Sequence, residues 1–165
     1  MALYKKNNYS GNSNYRNNRN NNERNDRHFG EKPSNYGSNP ENNYSEILDY
    51  LKKPEDSKKY KLFSMDGIIS KDFAGVPGGS QMRKFYDNVV DIYNNAREME
   101  SSKGRLAMML PIAYYANQRG FLNRRLFDFI KQSIKELNSM GDADEFKRSL
   151  EAFKDVFQAV VAYTK

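Results

Sequence analysis

The chain has 165 residues, a formal net charge of +6 and a pI near 9.3, which suits one domain or one domain with a tail. Cysteine is absent and His28 is the sole histidine, so disulfides, thiolate metal sites and a metal centre built on histidines are excluded. The basic balance points to nucleic acid or an acidic partner, and a cytoplasmic location is expected, because no secretory signal is seen and "LAMMLPIAYYANQ" (106–118) falls short of the roughly 20 apolar residues a bilayer requires.

Composition breaks near residue 43. Residues 1–43 hold 14 asparagines, and after Leu3 no Leu, Ile, Val or Met occurs until Ile47. Such a segment cannot bury enough apolar surface to offset the entropy cost of ordering, so a disordered, low-complexity N-terminal tail is expected over 1–43. Its basic residues, such as Arg16, Arg19 and Arg24, alternate with Tyr4, Tyr9, Tyr15, Phe29 and Tyr36. That mixture can neutralise phosphates and stack on unpaired bases; an asparagine-rich tail with no partner accounts for it equally well.

The remainder, 44–165, reads as one helical domain. Ser45 is a candidate cap for a short helix carrying Ile47, Leu48 and Leu51, with Pro54 stopping it near Lys53. Residues 54–79 carry no clear period; a helical turn around 57–63 is compatible with them, and "GVPGG" reads as a loop. Ser80 is the expected cap of a second helix, whose apolar stripe is Met82, Phe85, Val89, Ile92, Ala96 and Met99. The third helix, about 103–119, is apolar almost all round, which predicts a central helix covered on several sides. Pro111 should kink it or restart it near Leu110, and Gly120 offers its stop. Asn123 caps a fourth helix with Leu126, Ile130, Ile134 and Leu137 as its buried face, ended by Gly141. Asp142 and Asp144 open a fifth, with Phe146, Leu150, Phe153, Phe157 and Val160 as its stripe. With no period-two alternation, the expected fold is all-α, a compact bundle of about five helices.

"GVPGGSQMRKFYDNVV" (75–90) raises the question of a nucleotide site, since helix N-termini approached through glycines can hold phosphate. A P-loop, however, needs Gly-Lys-Ser/Thr after a buried strand, and here the glycines lead to "SQMRK". Asp87 and Asp91 lie one turn apart, but Arg83 precedes Asp87 by four residues, the spacing of an ordinary surface ion pair. "SMDGIIS" lacks the ligand ladder of a calcium loop. No catalytic constellation emerges, and no cofactor is expected. The basic residues fall in clusters: Lys58, Lys59 and Lys61; Arg83 with Lys84; Arg119, Arg124 and Arg125. Each alone reads as a solvated face, and two of the clusters sit at helix ends, where backbone donors help to hold phosphate.

Three segments in order carry a family resemblance. "GGSQMRKFYDNV" resembles the Ser/Thr-Ser-x-x-Arg helix opening of the small subunit of type III-A CRISPR interference (Csm) complexes. "RLAMMLPIAYYANQRG" is similar to that family's central helix, and "FKRSLEAFKDVFQAVVAYTK" to its last helix. The asparagine-rich tail has no counterpart there, and the glycine run replaces the usual threonine before the serine. The resemblance implies a non-catalytic helical bundle, stacked head to tail with other copies beside backbone subunits that hold guide RNA. It further implies a channel for target RNA, contact with the large subunit, and no membrane. By position, Ser80 and Arg83 match the helix-opening motif and Arg119 the end of the central helix. Lys84, Arg124 and Arg125 join them on charge placement. Rival expectations are a free-standing single-strand binder that works through its tail, and a protein adaptor.

Overall fold

The computed structural model describes residues 44–165, so the tail expected over 1–43 lies outside the described residues. Among the described residues the fold is helical without strands. Seven helices follow in order: α1 (Ser45–Lys52), α2 (Asp56–Phe63), α3 (Ile68–Phe73), α4 (Gly79–Asn94), α5 (Met99–Gln118), α6 (Arg124–Ser139) and α7 (Ala143–Tyr163). Five are the expected ones. α2 and α3 arise in the stretch without a clear period; each buries only one or two apolar side chains, namely Leu62 in α2 and Ile69 and Phe73 in α3, too few to leave a repeat in the sequence.

α4 to α7 form a ring. α4 packs against α5 and α7, and α6 packs against the same two, which puts α5 and α7 at opposite corners. α1 covers α6 and α7, α3 lies on α7, and α2 rests on α3. The core is aromatic at its centre: Phe129, Phe153 and Phe157 meet with ring centroids 5.4–6.2 Å apart, and Phe73 of α3 closes on Phe129 at 5.4 Å. Edge-on and tilted geometries of this kind suit the ring quadrupoles. All residues expected on the stripes of the fourth and fifth helices are buried.

Several local expectations are corrected. The cap of α1 is Tyr44, with Ser45 the first helical residue. α4 is entered from Gly78, whose φ of 127° only glycine adopts readily, so Ser80 is the second helical residue and not the cap. The Met82–Met99 stripe is cut after Asn94, and Met99 begins α5. α5 runs unbroken through Pro111, with no restart near Leu110. The largest departure concerns its surroundings. α5 buries one line only, Ser102, Leu106, Met109, Ala113 and Ala116, while Met108, Ile112 and Tyr115 are 68, 55 and 60% exposed. It is a corner helix and not a central one. Asn123 and Asp142 are caps as expected, accepting the backbone N–H of Arg125 and Glu145 at 2.8 Å. No described helix is long and apolar enough to cross a membrane.

Candidate nucleic-acid interface

The up-and-down order of α4 to α7 brings the start of α4, the end of α5, the start of α6 and the end of α7 to one end of the bundle. Close approaches fix this placement. A Cβ built on Gly78 would lie 3.0 Å from the Leu126 side chain, 3.6 Å from Asn123 N and 3.7 Å from Phe121 O. The loop before α4 therefore rests directly on the α5–α6 turn. Two clusters far apart in sequence, Arg83 with Lys84 and Arg119 with Arg124 and Arg125, come to the same end.

Their environments differ. Arg83 and Lys84 are exposed and make no ion pair among the described residues; the expected Arg83–Asp87 pair is not formed, and Asp91 pairs instead with Arg105 of α5. Ser80 is exposed beside them. Arg119 follows α5 as its C-cap and lies over the Tyr115 ring at 5.7 Å, with no carboxylate partner among the described residues. Arg124 holds Asp128 through Nε at 2.9 Å and lies over Phe127 at 5.8 Å, so its charge is partly answered within α6.

Arg125 is turned inward. Its guanidinium donates to Asp72 O at 2.9 Å, and its own carbonyl accepts the Tyr44 hydroxyl at 2.9 Å. Burial pushes the Asp72 carboxyl up, Arg125 opposes that, and Asp72 Oδ2 is buried without a hydrogen-bond partner. Burial likewise pushes the Tyr44 hydroxyl up, well beyond the ordinary tyrosine range. Arg125 thus ties α1 and α3 to α6.

The glycine loop has a structural occupant. Gly78 N–H and Gly79 N–H donate to Lys165 O at 3.0 and 2.6 Å, Lys165 N–H donates to Val76 O at 3.0 Å, and Gly75 N–H donates to Tyr163 O at 2.9 Å. Two donors that a phosphate could have used at the α4 N-terminus are taken by the segment after α7. What remains for an anion at this end is side-chain charge.

Lys58, Lys59 and Lys61 fall out of the site, because they pair with Glu55, Asp56 and Glu46 respectively. Conversely, Lys131 and Lys135 continue the Arg124 face of α6, exposed and without an ion pair among the described residues. Their helical spacing from Arg124 was the signal in the sequence. Among the described residues, no cluster of three or more His, Asp or Glu side chains could hold a metal ion.

A family model described as Csm2 Type III-A matches residues 71–165, from α3 to the end of α7. The chain belongs to the Csm2 Type III-A family. Csm2 proteins are the non-catalytic small subunits of type III-A CRISPR-Cas Csm complexes, effector assemblies of several subunits with nucleic acid. The matched span contains every residue at the basic end except Tyr44 of α1. No curated protein and no solved structure matches the chain.

Proposed function

We propose that the chain is a non-catalytic subunit that helps to line the channel where target RNA pairs with guide RNA, gripping phosphates without reading bases. The observation that carries this reading is the meeting of Arg83, Lys84, Arg119 and Arg124 at one end of a Csm2-family bundle. In RNA-guided systems sequence is read by base pairing, and protein attends to backbone and shape. Sequence-blind gripping needs cations on a rigid frame and nothing more. Arg83, Lys84 and Arg119 serve as direct phosphate partners, with the Ser80 hydroxyl as a donor beside them. Arg124 contributes in part, and Arg125 acts by holding the α6 N-terminus in place. The reading assigns no reaction and no cofactor to this chain. Its partners are guide RNA, target RNA, the backbone and large subunits, and further copies stacked head to tail, in the cytoplasm and away from any membrane.

The test is target-RNA binding by the assembled particle at several salt concentrations. Arg83→Glu or Arg119→Glu should weaken binding to unrelated target sequences alike. Each should lower the salt slope by about one unit for every phosphate no longer neutralised. Unchanged binding, or a weakening confined to certain sequences, refutes the assignment.

A further inference from the structure

We propose that the outward face of α5 is a ridge by which one copy of the chain seats in a groove between α2 and α7 of the next copy. This deepens the stacking reading above, on which it rests, by assigning the two surfaces. The ridge is Met108, Ile112 and Tyr115, spaced four and three along a single line of α5, with Phe121 beyond its end. Contiguous apolar side chains left open to water in this way mark a surface that is covered in use.

The groove has the complementary form. It is a cavity of about 520 Å³ lined by Phe63 of α2 and by Ala159, Ala162 and Tyr163 of α7, with Lys59 and Asp155 among its walls. Two alanines one turn apart leave a hollow into which the side-chain ridge of another helix can pack. The Tyr163 hydroxyl donates to Phe63 O and Ser64 O at 3.2 and 3.3 Å, which holds the end of α2 against α7 and keeps the groove open in one shape.

The occupant follows from where the two surfaces lie. α5 and α7 stand at opposite corners of the ring, so ridge and groove face away from one another and cannot meet within one chain. A convex apolar surface on one side and a concave one on the other make a heterologous interface, which repeats along a line instead of closing as a two-fold pair. Charge agrees. Arg119, without a carboxylate partner among the described residues, ends the ridge, and Asp155 stands in the groove wall. A second copy supplies both halves of this match from one sequence.

Because the chain has no cysteine, thiol cross-linking tests the interface without internal background. Tyr115→Cys and Ala162→Cys are placed in the same full-length chain, within the guide-containing particle, and treated with a short bis-maleimide. A ladder of linked dimers, trimers and longer species of this chain is expected, while either single variant alone gives none. The pair Ile112→Cys with Gln158→Cys, also exposed positions, repeats the test at a second register. A dimer from Tyr115→Cys alone, meaning ridge against ridge, overturns the proposal. So does linkage to a different subunit, or no ladder from either pair in a particle that still binds target RNA. If the ladder forms but Arg83→Glu leaves RNA binding untouched, the RNA assignment fails and the docking assignment stands. Should the chain not enter the particle, the stacking reading falls, and the same bis-maleimide treatment of the free full-length chain decides whether ridge and groove meet: a ladder supports the docking, and its absence overturns it.

Discussion

Arg119 and Arg125 are six residues apart, carry the same charge, and do different work. Arg119 is exposed above Tyr115 with no anion among the described residues to answer it, whereas Arg125 is spent on Asp72 O and on presenting its carbonyl to Tyr44. Arg125→Ala should therefore lower stability by about 1.5–3 kcal/mol, the range for hydrogen bonds to charged groups, in urea denaturation of the free chain. Arg119→Ala should leave stability within about 0.5 kcal/mol. Tyr44 supplies a pH signature. Its hydroxyl is pushed up in the fold, so the folded state keeps a proton that the unfolded chain releases near pH 10. Stability is then fully present below that pH and falls as pH rises past it. Tyr44→Phe should flatten this alkaline decline while costing about 1 kcal/mol at neutral pH, which thermal melts between pH 7 and 11 would resolve. In the sequence Arg119 and Arg125 look like equals, because what separates them is the meeting with α1 and α3, more than 50 residues distant.

The elements whose cues are local were legible in advance. α6 and α7 are capped by Asn123 and Asp142 and bury the stripes that their three- and four-residue spacing announced. Asn123→Ala should cost about 1 kcal/mol for that reason, read in the same urea series. α4 and α5 were less transparent. The entry to α4 depends on how closely the Lys165 backbone approaches Gly79, where a Cβ would come within 2.8 Å of Lys165 C and O. In a free helix, alanine in place of glycine gains about 1 kcal/mol. Here the clash outweighs that, and Gly79→Ala should lower the denaturation midpoint. α5 misled because an apolar sequence does not say which of its apolar sides meets its own fold. A buried central helix and a corner helix awaiting a neighbour are written with the same residues.

At the scale of the whole molecule, charge is distributed along the bundle axis. Arg83, Lys84, Arg119 and Arg124 gather at one end. Glu98 and Glu100 at the start of α5, with Asp142, Asp144 and Glu145 at the start of α7, gather at the other, where Lys103 joins α5 to Met140 O at 2.6 Å. Acidic residues at those two N-termini complement the helix dipoles. They also leave a polyanion only one end to approach. Removing residues 1–43 should leave entry into the effector particle unchanged, as judged by co-purification with guide RNA, since the basic end and the family match both lie beyond that segment. The all-α class and the family were readable from order and spacing alone. The ring of four helices was not, because it rests on pairings between side chains that no local pattern encodes.

The hydrogen bonds of Lys165 carry one more consequence. Val76, Gly78 and Gly79 all hang on this one residue, and Tyr163 just before it secures α2. A chain shortened before position 165 would release the α3–α4 loop together with the threshold of α4. Exopeptidase nibbling would then not fray a loose thread; it would pull a keystone, and each clipped molecule would become easier prey than the last.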